Sequence, residues 1–253
     1  MVEINGLRAI VTGASKGVGR LLSIKLIERG AKVLGVARSR ELLRELEKKY
    51  NGMFYSVQCD LASTTCTCCG KIIEKAYKVL GGIDVLVNNA GYAVYGRIWE
   101  QSWEDVYGQV MVNMVSAMHL THLVLKEMFK QRKGVIVFVL TGAVYAYIMG
   151  LAVYGASKAG LSYYAEVLKQ ELEGSGIRVV TVYPGSIKGT EFFGHPSFRR
   201  KDFTKVRWDT NVEKVVDKII EAIERDNVTK VYIPWWIGVA GKVAQLFGMT
   251  ISL

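Results

Sequence analysis

The stretch Thr12-Gly-Ala-Ser-Lys-Gly-Val-Gly19 constrains this chain more than any other. It follows a short apolar run, Ala9-Ile-Val11, that reads as a buried strand. It precedes Leu21, Leu22, Ile24, Leu26 and Ile27, which recur at helical spacing. A glycine-rich turn from strand to helix lets the backbone approach a pyrophosphate, which then sits at the positive end of the helix. The spacing Gly13, Gly17, Gly19 differs from the commoner Gly-x-Gly-x-x-Gly, and such a turn also suits a strand–helix corner with no ligand. The strand, helix and second strand around it favour a dinucleotide.

Further strands are expected at Lys32–Val36, Met53–Gln58, Asp84–Val87, Val135–Leu140, Ile177–Val182 and Lys230–Ile233. Helical patterns lie between them. Val212, Val215, Val216, Ile219, Ile220 and Ile223 form the clearest stripe of period 3.6, and two long helical segments are expected at about Ser102–Lys130 and Val153–Glu173. Strand–helix alternation implies an α/β fold: a doubly wound, seven-stranded parallel sheet with helices on both faces. The chain of 253 residues has three prolines and no linker-like stretch, so residues 1–253 read as one domain carrying both cofactor and substrate sites.

Ligands of open α/β sheets lie beyond the carboxyl ends of the strands. Three more segments fall at such ends: Asp84-Val-Leu-Val-Asn-Asn-Ala-Gly91, Tyr183-Pro-Gly185, and Tyr154-Gly-Ala-Ser-Lys158 just after the fifth strand. Tyr154 and Lys158 are four apart, so on a helix they share a face. A free phenol with a pKa near 10 moves protons poorly at neutral pH. A neighbouring ammonium favours the phenolate, and the pair then becomes a workable acid/base for a carbonyl or an alcohol.

These four segments, in this order, resemble the compact single-domain branch of the short-chain dehydrogenase/reductase family over nearly the whole chain, from Leu7 to about Ile233. The resemblance implies a Rossmann fold and a nicotinamide coenzyme, with hydride moving between the nicotinamide and a carbonyl/alcohol carbon. Tyr154 is then the proton donor or acceptor, Lys158 lowers its pKa and holds the nicotinamide ribose, and Asn113 anchors a relay water. Asn113 would otherwise be a helix-interior amide that satisfies a backbone group. The family's usual serine, thirteen residues before the tyrosine, is Thr141 here; its hydroxyl can make the same bond while its methyl takes space. The implied coenzyme-binding set is Gly13, Ser15, Lys16, Gly17, Val18 and Gly19 of the turn, Arg38, Asp60 and Leu61 on the adenosine side, Asn89, Ala90 and Gly91, Tyr154 and Lys158, and Pro184, Gly185, Ile187 and Thr190. Thr190 stands one residue later than the family's threonine, so Ile187 is the better partner for the nicotinamide amide, through its backbone.

The second strand ends at Val36-Ala37-Arg38, with no acid to bond the ribose hydroxyls. A guanidinium there matches a 2′-phosphate, and Lys16 adds a second cation, so NADP(H) is expected over NAD(H). The plainer reading has Arg38 stacked on the adenine.

The net charge of +10 accompanies no nucleic-acid motif. Arg199, Arg200, Lys201, Lys205 and Arg207 cluster where this family places its substrate lid, as a solvated loop or as a lid favouring an anion. The N-terminus has no secretory pattern, and a cytoplasmic chain is expected. The uncharged stretch between Lys133 and Lys158 fits a buried strand and loop better than a membrane span. Cys59, Cys66, Cys68 and Cys69 lack zinc-site spacing and read as small buried residues with free thiols, a redox or structural disulfide being the open alternative; His119 and His122 have no third ligand, so no metal is expected. Tyr92, Val94, Tyr145, Tyr147, Met149 and Phe192 suggest an apolar pocket for a small-molecule carbonyl or alcohol. The apolar tail from Pro234 to Met249 is expected to pack on its own subunit or a neighbour rather than on a bilayer. A homodimer or homotetramer is what the resemblance implies. The competing function is a dinucleotide-binding sensor or scaffold without turnover, which only the threonine substitution supports.

Overall fold

The structure is a computed structural model, described here for residues 2–63, 67–199, 209–247 and 250–251. Its centre is a seven-stranded sheet in which every pairing is parallel. In chain order the first elements are β1 (Arg8–Thr12), α1 (Gly17–Glu28), β2 (Lys32–Ala37), α2 (Arg40–Lys49), β3 (Phe54–Gln58), α3 (Thr67–Leu80) and β4 (Val85–Asn88). There follow α4 (Trp103–Val110), α5 (Ser116–Gln131), β5 (Gly134–Val139), the short β6 (Tyr147–Ile148), α6 (Ala152–Glu171) and β7 (Ile177–Pro184). The chain closes with β8 (Ser186–Lys188), β9 (Asp209–Asn211), α7 (Val212–Glu224), β10 (Lys230–Ile233), α8 (Ile237–Leu246) and β11 (Thr250–Ile251). The sheet order is β3-β2-β1-β4-β5-β7-β10, so the winding reverses between β1 and β4, where such sheets bind ligands.

Alternation along the strands decides which helices cover which face. Ala9, Val11, Val85, Val87, Val135, Val137 and Val139 point to the layer of α1, α2 and α7, where Leu22, Leu26, Leu43, Val215 and Ile219 meet them. Ile10, Leu86, Ile136, Phe138 and Leu140 point to the layer of α3, α5 and α6, against Ile72, Leu120, Val124 and Leu161. Both faces are therefore dry. All six residues of β5 are buried, which accounts for the first part of the uncharged stretch. No helix among the described residues is long and apolar enough to cross a membrane. Gly35 of β2 is obligatory for packing, since a Cβ there would lie 2.3 Å from the Phe54 ring.

At the amino ends of β1 and β4, Arg8 grips Asp84 with Nε and a terminal guanidinium nitrogen, both at 2.8 Å. Burial pushes the Asp84 carboxyl up, but the hydrogen bonds and charge of Arg8 more than offset it and leave the group below its ordinary value.

Two features depart from the sequence-based expectations, and a third concerns the tail. The long helix over Ser102–Lys130 is broken by a π turn at Met111–Val115. Cys59 is joined to Cys68 in a disulfide, so the expectation of free thiols is corrected there; Cys69 is buried outside that pair, and Cys66 lies outside the described residues. The tail forms α8, which packs on the turn Gly142–Tyr145: a Cβ on Gly241 would lie 2.3 Å from the Tyr145 Cβ, and one on Gly142 2.8 Å from Ile237.

Candidate active site

The glycine turn leaves β1 and is locked to the end of β4. Gly13 has φ +70° and Gly17 φ +52°, the left-handed region that glycine tolerates. A Cβ on Gly19 would lie 2.3 Å from the Gly13 carbonyl, so a larger residue would break the corner. Thr12 is the hub: its hydroxyl donates to the Val87 carbonyl and accepts from the amides of Asn89 and Ala90, both at 3.0 Å. The Asn89 amide returns a bond to the Thr12 carbonyl at 2.8 Å. Lys16 is the N-cap of α1, makes no side-chain cap bond, and the first turn holds no acid. By contrast α4 and α7 are capped by Ser102 and Asn211. The N–H groups and positive end of α1 are therefore left to an anion, and the residues present fit a dinucleotide pyrophosphate. Val18 is buried behind the turn and Ser15 is half-buried in it.

On the adenosine side, Arg38 is exposed just past β2, and its carbonyl accepts from the Gln58 side chain at 3.1 Å. Asp60 is exposed past β3 and accepts from the Ala62 amide, while Leu61 is buried.

Thr141 and Tyr154 come together. Thr141 follows β5 and caps the turn Gly142–Tyr145, with its hydroxyl accepting from the Ala143 amide at 3.2 Å. That same hydroxyl lies near enough to the Tyr154 phenol to favour its ionised form. Tyr154 is 6% exposed and Lys158 4%. Burial pushes the phenol up to about 12, and the Thr141 hydroxyl pulls the other way. Burial also pulls the Lys158 ammonium down to about 8. The expected lowering of the phenol by Lys158 is not what this geometry gives. The ammonium donates to the Val139 carbonyl at 2.9 Å, and Thr141 is the group that favours the phenolate.

Asn113 sits in the π turn, a form of helix frequent at functional sites. Its amide accepts from the Tyr92 N–H at 3.0 Å and donates to the Tyr92 carbonyl at 2.9 Å and the Ser157 hydroxyl at 3.1 Å. It therefore satisfies backbone as the plainer reading expects, yet it also lies beside Lys158: a Cβ on Gly91 would meet Asn113 Oδ1 at 3.1 Å and Lys158 Nζ at 3.2 Å. Asn113, Gly91 and Lys158 thus meet at one point.

The segment after β7 folds over this group. The Gly185 amide bonds the end of β10 at Ile233, next to Pro184, and Ile187 lies in β8, paired with Thr210. Thr190 bonds the Ile187 carbonyl, and a Cβ on Gly17 would lie 3.2 Å from its methyl, so it packs on the glycine turn. Lys16 Nζ pairs with Glu191 at 2.5 Å. Phe192 meets the Tyr154 ring edge-on at 5.2 Å, backed by Phe193 and Phe198, with Tyr95 stacked on Phe198. Of the suggested pocket residues, Phe192 reaches Tyr154, and Val94 is buried below with its amide bonded to Gln109. Tyr145 is turned away: its ring packs on Tyr183 and its hydroxyl bonds Tyr232 at 3.1 Å. Tyr147 and Met149 are exposed on the rim. Of the basic cluster, Arg199 is exposed and the other four residues lie outside the described residues.

Sequence reasoning missed Thr12, Ser157, Tyr95 and Phe198. Ser157, which donates to the Tyr154 carbonyl and accepts from Asn113, was legible as a polar residue on the Tyr154 face of its helix. The others depend on chain segments far apart in sequence. Among the described residues, no group of three His, Cys, Asp or Glu side chains is placed to hold a metal ion.

Comparison with known proteins agrees with this geometry. The short chain dehydrogenase family model matches residues 8–197. An NADPH-dependent 3-dehydrocapnine reductase of Ornithobacterium rhinotracheale is 31% identical over 247 residues, covering 94% of this chain and 83% of the relative. A 3-oxoacyl-[acyl-carrier-protein] reductase of Vibrio cholerae is 33% identical over 196 residues, 74% of this chain and 76% of the relative. A short chain dehydrogenase/reductase from Burkholderia phymatum in complex with NAD superposes with a TM-score of 0.86 over 99% of this chain and 98% of that one; at 19% identity it speaks for the fold alone. The chain belongs to the short-chain dehydrogenase family and is an NAD(P)-dependent oxidoreductase of the class that acts on CH–OH groups.

Proposed function

We propose that this chain is an NADP(H)-dependent reductase of an apolar ketone or aldehyde, or a dehydrogenase of the corresponding alcohol, with Tyr154 as general acid/base. The observation that carries the reading is the meeting of the Thr141 and Tyr154 hydroxyls in a buried site lined by Phe192 and Phe198. A carbonyl oxygen held between those two hydroxyls accepts a bond from Thr141 and takes its proton from Tyr154. The bound dinucleotide supplies the hydride. Lys158 keeps a cation within the buried group, and Asn113 fixes the Tyr92 backbone and Ser157 beside it. The glycine turn and the uncapped start of α1 hold the pyrophosphate, and Arg38, where an acid is missing, takes the 2′-phosphate. The NADPH dependence of the Ornithobacterium relative supports the same preference.

We further read the chain as a cytoplasmic homodimer or homotetramer. A shallow groove of about 400 Å³ along α5 and α6, lined by Met114, Met118, Tyr163, Tyr164 and Val167, supports a subunit contact there.

The test is purified protein with NADPH or NADH and a panel of aliphatic and aromatic ketones and aldehydes. Oxidation of NADPH, at least tenfold faster than of NADH, is the expected result. Tight NADPH binding with no turnover across the panel would replace this reading with that of a dinucleotide-binding sensor.

A further inference from the structure

Twelve large apolar side chains are exposed among the described residues, and ten of them lie on connections that leave the carboxyl ends of three strands. Ile98, Trp99 and Trp103 follow β4, with Trp99 79% exposed. Tyr147 and Met149 follow β5. Trp235, Val239, Val243, Leu246 and Phe247 follow β10, with Leu246 83% exposed and Phe247 78%. The other two, Phe129 and Tyr163, lie on α5 and α6. A scatter of single exposed apolar residues is ordinary, but this concentration at one end of a molecule is not.

The three connections are joined to one another. The Gly96 amide bonds the Gly150 carbonyl, tying the loop of Trp99 to that of Met149, and β6 pairs with β11, which follows α8. On α8, Val239, Val243 and Leu246 stand at i, i+4 and i+7, so they share a face. The opposite side of α8, at Gly238 and Gly241, is packed against Tyr232 and Tyr145. The rim abuts the apolar cluster of Tyr95, Leu151, Phe192 and Phe198 around Tyr154: a Cβ on Gly150, next to Met149, would lie 2.5 Å from the Tyr95 ring.

We infer that this rim is a membrane-contact surface: the chain lies with the mouth of its active site on an anionic bilayer and takes a lipophilic carbonyl directly from it. The inference rests on the reductase reading for the identity of the site, and on the exposed residues alone for the surface. Tryptophan and tyrosine suit a boundary where one end of the ring is apolar and the other wet. Charge points the same way. The chain carries a net charge of +10, and the twenty residues from Pro234 to Leu253 contain a single charge, Lys242. Arg97 and Arg199 are exposed beside the rim; of the acids there, Glu100 is tied to the Arg97 amide and Glu104 is exposed next to Trp103, so the attraction comes from the chain's net charge and Lys242 rather than from the α4 end. A bilayer there would deliver a lipophilic substrate without a passage through water. The groove on α5 and α6 remains available to a second copy.

The test is flotation of the full chain with vesicles of phosphatidylglycerol and phosphatidylcholine, and with phosphatidylcholine alone, comparing the parent with Val239→Glu/Leu246→Glu on α8 and with Trp99→Ser. The parent is expected to float with the anionic vesicles, at least tenfold more than with the neutral ones. The α8 variant should lose at least tenfold and Trp99→Ser three- to tenfold. NADPH oxidation with a small water-soluble ketone should stay within twofold in both variants, which shows that they are folded. A parent that stays unbound with both vesicle types overturns the inference. So does an α8 variant that binds as well as the parent, or one whose only change is a smaller oligomer by light scattering. Vesicle binding by a parent that oxidises no NADPH upholds the surface and overturns the reductase reading alone.

Discussion

The two ends of the central sheet handle polar groups in opposite ways. At the amino ends of β1 and β4, the Arg8 guanidinium and the Asp84 carboxylate answer each other with two close bonds, and neither group is left for chemistry. At the carboxyl ends, Tyr154 and Lys158 are more deeply buried than either of those, yet they do not meet as an ion pair, and burial displaces both from their ordinary pKa values. A matched pair contributes to stability, whereas a mismatched one stores the means to move a proton.

The sharpest way to break this contrast is Tyr154→Phe. Loss of the buried phenol should lower kcat by about 10³-fold or more while leaving the unfolding midpoint nearly unchanged. A variant that turns over at the parental rate would show that the carboxyl end is no more reactive than the amino end. Thr141→Val removes the hydroxyl that meets the phenol and should cost about 10²-fold in kcat; Thr141→Ser should restore most of it, measured as kcat against KM.

Stability separates the ends next. Lys158 titrates at about 8 when folded and near 10.4 when unfolded, so the unfolded chain binds the proton more tightly. The cost of burying the charge is complete below pH 8 and is relieved as pH rises towards 10.4. That shift corresponds to roughly 3 kcal/mol, less about 1 kcal/mol for the bond to Val139. Lys158→Met should therefore stabilise the nucleotide-free protein by about 2 kcal/mol at pH 7, shrinking towards pH 10, in urea unfolding. Asp84 carries the opposite sign. Its carboxyl is held below the ordinary value, so its contribution is present above the unfolded pKa near 3.9 and is lost as pH falls through the folded one. Asp84→Asn should cost about 1 kcal/mol at pH 7, after allowance for screening at this half-buried pair, and progressively less as pH falls through the folded value. It should leave turnover untouched.

All seven main strands were legible to within one or two residues, because strands dry on both faces must be continuously apolar and the turns between them carry the glycines. The meeting of Tyr154 with Thr141 was legible from spacing and family likeness. Less legible was anything decided by contact between distant segments. The direction of Lys158 depends on the Val139 carbonyl, and Tyr145 turns inward because Tyr183 and Tyr232 offer it two rings and a hydroxyl. The Cys59–Cys68 pair needed the turn between β3 and α3 to bring nine residues back on themselves. The packed side of α8 was foreseen in kind, but its bare side was not, since a run of apolar residues does not say which of them finds a neighbour.

The π turn at Met111–Val115 holds one residue more than regular winding would. Deleting one residue of that turn would let regular winding run straight through it with little change of phase beyond, because the wide turn absorbs the extra residue in place. Leu120 and Val124 would stay pressed into the sheet, while the amide that clasps Tyr92 would lose its position. The irregularity is thus a local insertion: it lets a single rod present one amide to the reacting group without disturbing the hydrophobic layer beneath.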